Sequence, residues 1–112
     1  MIRVSRFSRY IKMFWIFATR GGYPRAELLK KEKYFKSQGE HCFFQPWNFG
    51  SEPNLISFGN NVHVASGVSF INHDVTGHMF SYMDNKKYKL RFGEIYVGDN
   101  VFIGSNSTVL FD

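Results

Sequence analysis

The sequence has one cysteine, no acidic residue before Glu27, and no apolar run long enough to cross a bilayer. Each absence excludes something. Cys42 alone rules out an internal disulfide and fits a reducing compartment, so a cytoplasmic protein is expected. Set among aromatics in HCFFQPW, it reads as buried filler rather than a nucleophile. The most apolar stretch, IKMFWIFATR, is broken by Lys12 and ends at Arg20, short of the roughly 20 residues a spanning helix needs. With 112 residues, 44% hydrophobic and 19% aromatic, the chain suits one modest soluble core.

The shortage of acid is local. Residues 1–36 hold ten Lys/Arg against Glu27 and Glu32, whereas the remainder holds four against seven acids. Arg3, Arg6, Arg9, Lys12 and Arg20 accompany Val4, Phe7, Ile11, Phe14 and Ala18 at helical spacing. Three readings fit this cationic amphipathic helix: packing of Phe14, Trp15 and Phe17 on the rest of the fold, peripheral contact of residues 1–20 with an anionic membrane, or an organellar presequence. A second helix is expected from Pro24 to about Gln38, with Gly39 ending it and its lysines on a solvated face. No base-stacking motif accompanies the charge, so nucleic acid is not an expected partner. Residues 1–40 thus form a basic helical region.

From residue 41 a different rhythm takes over. Ile56, Phe58, Val62, Val64, Val68 and Phe70 follow alternating gaps of two and four, and Ile95, Val97, Val101, Ile103, Ser107 and Val109 repeat them. A strand gives period two and a helix 3.6. Gaps of two then four therefore mean a short strand with two inward residues, then a corner. The corners GNN (59–61), ASG (65–67), GDN (98–100) and GSN (104–106) carry residues that tolerate left-handed backbone angles. Three six-residue sides close a triangle. A β-sandwich would need period-two runs that are absent.

This pattern resembles the hexapeptide-repeat acyltransferases, within them the sugar and capsule O-acetyltransferase branch. The resemblance covers residues 54–74 and 93–112 and implies a mainly β fold: a left-handed parallel β-helix, here incomplete over 41–112, preceded by N-terminal α-helices. Between the blocks, residues 73 to about 92 lose the inward pattern and are expected to form a protruding loop. From Phe58 to Val97 the spacing allows two coils plus three residues, or one coil plus a 21-residue excursion.

At the mouth of that loop stands INHD. In the branch resembled, a histidine at this place acts as general base, which assigns the role to His73, with His78 as the alternative. An imidazole can take the proton that an alcohol holds when a thioester's acyl group moves to a sugar hydroxyl. Asp74 adjoins His73 but, as its neighbour on an extended chain, points the other way, so a backbone carbonyl is the alternative ring holder. The resemblance further implies acetyl-CoA as co-substrate, held by Gly104, Ser105 and Asn106 largely through backbone groups. It also implies a saccharide acceptor touched by Asn72, Asp74 and Phe102, and a homotrimer with sites between subunits. Phe102 stands where many relatives carry Trp, keeping a flat wall without the indole N–H. His63, His73 and His78 also resemble the metal-holding set of β-helical carbonic anhydrases; the INHD context favours the transferase, and no metal is expected. Relatives of this kind continue for further coils, so the chain reads as the N-terminal part of an acetyltransferase. The competing class is a non-catalytic β-helical piece for assembly or membrane-surface docking.

Overall fold

The computed structural model describes residues 6–111, with side chains from Ser8 onward. Arg3, Val4 and the side chains of Arg6 and Phe7 from the cationic segment lie outside the described residues. Helix α1 (Arg6–Ala18) is followed by α2 (Gly22–Lys31). The second helix ends earlier than Gln38 because Lys33 adopts a left-handed angle (φ 54°). That turn, closed by Tyr34 N–H donating to Leu29 O at 3.1 Å, swings Phe35 into the core. Arg25, on α2, is buried; its guanidinium donates to the carbonyls of Thr19 (2.8 Å), Phe44 (3.1 Å) and Gln45 (2.8 Å). It thereby ties both helices to the strands.

The strands are two or three residues long and pair in parallel across three sheets. One sheet runs β1 (Ser37–Gln38), β3 (Ile56–Phe58), β8 (Ile95–Val97). A second runs β2 (Phe43–Phe44), β4 (Val62–Val64), β9 (Val101–Ile103), and a third joins β5 (Ser69–Ile71) to β10 (Thr108–Leu110). Phe58, Val64 and Phe70 fall on three different strands in three different sheets, and all are buried. Ile56 stands opposite Ile95, Val62 opposite Val101 and Ser69 opposite Thr108, a constant offset of 39 positions. The two blocks are therefore adjacent turns of the chain, and the intervening residues are an excursion rather than further coils.

The corners stack as well. Asn61 and Asn100, also 39 apart, both take left-handed angles (φ 57° and 59°). Their side chains join through Asn61 Nδ2–H donating to Asn100 Oδ1 at 3.0 Å. Glycine is required at 59 for close approach: a Cβ there would lie 2.8 Å from the Gly98 carbonyl carbon.

A turn that the rhythm missed precedes these two. Ser37 pairs with Ser57 and Phe43 with His63, an offset of 20, so strands begin at Ser37, ahead of the boundary drawn at residue 40. Gln38 occupies the place of Phe58, with its amide donating to Ala26 O at 2.8 Å, and Cys42 the place of Val62. Phe35, Phe44, Phe49, Phe58 and Phe70 then fill the centre, mostly edge-to-face with centroids 4.8–6.1 Å apart. Cys42 is 1% exposed, and burial raises its thiol pKa. It should react with a thiol reagent at least about a hundredfold more slowly in the native state than in denaturant. Equal rates, followed by absorbance of the released chromophore, would show that this first turn is not packed as described.

Residues 73–92 depart from expectation. They are not a structureless loop: β6 (His73–Asp74) and β7 (Arg91–Phe92) pair antiparallel and carry α3 (Thr76–Asp84) between them. Asp74 Oδ1 accepts from the Thr76 N–H at 2.8 Å at the start of α3, and Asn85 ends it with a left-handed angle (φ 55°). Gly77 lets the returning chain close in, since a Cβ there would lie 2.9 Å from Lys89 O.

Candidate active site

Everything that positions His73 starts one residue earlier. Asn72 is 1% exposed. Its Nδ2–H donates to Gly93 O at 2.9 Å, and the Gly93 N–H donates to Asn72 O at 2.8 Å. These two bonds pinch the mouth of the excursion and fix where β6 leaves the sheets. Asn72 Oδ1 is buried without a hydrogen-bond partner among the described residues. The expected acceptor residue Asn72 is thus a buried clamp.

His73 follows on β6, half-buried, its ring 5.8 Å from that of Phe92, its partner across the hairpin. Its Nδ1 lies 2.9 Å from Oε2 of Glu52, whose side chain is 20% exposed. Glu52 comes from the short 3₁₀ turn over Pro53–Leu55 that leads into β3, where Leu55 N–H donates to Glu52 O at 3.0 Å. The ring is therefore held by a carboxylate on a rigid turn, in place of the backbone carbonyl expected as the alternative to Asp74. Asp74 does not orient His73. Its carboxyl sits below the ordinary range because it accepts from the Thr76 backbone N–H and then the Thr76 hydroxyl, with Arg91 and His73 adding smaller favourable fields.

His73, Asp74 and Arg91 line one cleft of about 490 Å³ with Ile71, Val75, Leu110 and Phe111. Ile71 and Leu110 are register partners and give the cleft an apolar wall. The Arg91 guanidinium lies over the Phe111 ring at 5.5 Å. An apolar wall facing an imidazole, a carboxylate and a guanidinium suits a ligand with one apolar face and several hydroxyls.

The remaining predicted residues lie elsewhere. His78 is exposed on α3, outside the cleft lining. His63 stacks on Phe43 with centroids 5.5 Å apart and meets the edge of Tyr23. Among the described residues no three His, Cys, Asp or Glu side chains are grouped to hold a metal ion. Phe102, register partner of His63, is 73% exposed on the outer face of its sheet. Gly104, Ser105 and Asn106 form the corner between β9 and β10, where Asn106 takes φ 62° and its N–H donates to Ser66 O at 3.2 Å. A Cβ at Gly104 would meet only Phe102 Cε1, at 4.0 Å, so the backbone of this corner is open on that side. It does not share the cleft with His73.

Glu52 and Arg91 were missed as site residues. Arg91 stands in no motif, and no spacing rule connects Glu52 to a residue 21 positions away.

Among the described residues no helix is long and apolar enough to cross a membrane. No family model matches the chain, and no solved structure does. The chain is similar to Protein CapG of Staphylococcus aureus, with 48% identity over 64 residues, 55% of this chain and 35% of that protein. It thus spans about a third of the length of the curated relative it matches.

Proposed function

We propose that the chain is part of an O-acetyltransferase of capsular or related polysaccharide synthesis. In this reading the three parallel sheets are the sides of a left-handed β-helix and His73 is the general base. The observation that carries it is the Glu52–His73 pair at the rim of a mixed apolar and polar cleft. Support comes from the similarity to Protein CapG and from the constant 39-residue register.

The chemistry follows from the ring. With a carboxylate at Nδ1, the neutral imidazole keeps its proton there and leaves the Nε2 lone pair as base. A sugar in the cleft, resting its apolar face on Ile71 and Leu110, gives a hydroxyl proton to Nε2 as its oxygen bonds to the acyl carbon; the carbon–sulfur bond of the thioester then breaks and the imidazolium returns the proton to the leaving CoA thiolate. Acetyl-CoA as co-substrate supplies the activated acyl group. Gly104, Ser105 and Asn106 would hold it through backbone groups, and backbone N–H groups would steady the charge growing on the acyl oxygen. A homotrimer, with the donor corner of one subunit facing the His73 cleft of its neighbour, would reconcile their separation within one chain.

The test is release of CoA across a panel of saccharides by the parent and by Glu52→Gln. An amide at position 52 can donate to Nδ1 and so favour the wrong tautomer. Turnover should fall roughly a hundredfold or more while KM changes little. Release that needs no saccharide, or an E52Q variant as fast as the parent, would defeat the proposal.

A further inference from the structure

Helix α1 carries two adjoining apolar faces, one of them outside the core. Met13, Ile16 and Phe17 pack on the core. Phe14 and Trp15, expected to pack with Phe17, do not: they are 63% and 67% exposed, beside Tyr10 at 70% and Ile11 at 43%. At 100° per residue, Tyr10, Phe14, Ala18, Ile11 and Trp15 fill an arc of about 140° beside the core stripe. A contiguous set of exposed aromatic and aliphatic side chains on one helix face marks a binding face.

Charge identifies what covers it. The first twenty residues hold five cations and no acid. Lys12 is paired with Glu32 at 2.7 Å, while Arg9 and Arg20 are exposed. A second copy laid on this face would bring two acid-free segments together, whereas an anionic surface meets complementary charge. Tyr and Trp beside cations are the side chains that settle at the headgroup level of a bilayer. Beside the face a cleft of about 570 Å³, lined by Arg9, Tyr10, Met13, Phe17 and Tyr34, offers apolar walls and a cation. That make-up suits an acyl chain beneath a negatively charged headgroup.

We infer that α1 docks the protein on anionic membrane surfaces, lying in the interface with Ile11 and Phe14 inserted among the acyl chains and Tyr10 and Trp15 at the headgroup level. The inference is independent of the reaction proposed above.

The experiment is flotation of the chain with phosphatidylcholine vesicles and with mixed phosphatidylcholine–phosphatidylglycerol vesicles, at low and high salt. The chain should float with the mixed vesicles at low salt, at least about tenfold better than with neutral ones, each cation being worth roughly fivefold. Phe14→Ser with Trp15→Ser should abolish flotation, and Arg9→Glu with Arg20→Glu should reduce it at least tenfold. Both variants should keep the parent's circular-dichroism melt, since the altered side chains are exposed. Equal flotation with neutral vesicles would overturn the inference, as would retention by the serine variant. A concentration-dependent dimer that the serine variant loses, without flotation, would assign the face to self-association instead.

Discussion

In the acetyl transfer proposed for this chain, replacing His73 by alanine is expected to lower turnover roughly 10²- to 10⁴-fold, the range spanned by a positioned general base. The effect should fall on turnover more than on acceptor KM, because Ile71, Leu110, Asp74 and Arg91 still line the cleft. Stability should change little: the imidazole is half-buried and its named side-chain contacts are Glu52 and the Phe92 ring. His78→Ala is the matched control. Exposed on α3, His78 should be replaceable with no more than a small loss. CoA release by the two variants under saturating donor decides the matter. If H78A is crippled and H73A is not, the base has been assigned to the wrong histidine.

Phe58→Ala is expected to lower unfolding free energy by about 3–5 kcal/mol, the usual cost of emptying a buried aromatic site. Phe58 is 2% exposed and its ring meets those of Phe35, Phe44, Phe49 and Phe70. It therefore joins the turn before it to the one it belongs to. Against a typical total of about 5–15 kcal/mol, the loss would leave a substantial unfolded fraction in a small domain. Denaturant unfolding followed by circular dichroism measures it. A shift under about 1 kcal/mol would mean that the aromatic centre is loosely packed and that stability resides elsewhere.

The inward residues of the two regular blocks were legible because each corner is a local event. Asn61, Gly67, Asn100 and Asn106 announce their left-handed backbone angles by type, and large apolar residues sit between them. Residues 36–50 were opaque for the opposite reason. Gln38 and Cys42 stand at inward places without looking apolar enough, and the 20-residue offset breaks the phase. The segment 76–84, TGHMFSYMD, reads as loop because its mixture of Gly, His, Met and Tyr shows no clean helical stripe. Its exposed Met79, Tyr82 and Met83 explain why. The INHD motif singles out His73, whereas its partner leaves no such mark. Glu52 reaches it across the fold, and a contact between two turns leaves no trace in either one's local pattern.

The paired bonds between Asn72 and Gly93 make the intervening segment a cassette. Its ends are pinned to one point of the scaffold, so residues can be added or removed between them at little entropic cost while the register of the strands on either side stays intact. Such a layout places the cleft's lining and fold durability under separate selection: descendants could trade one hairpin for another and inherit the same frame.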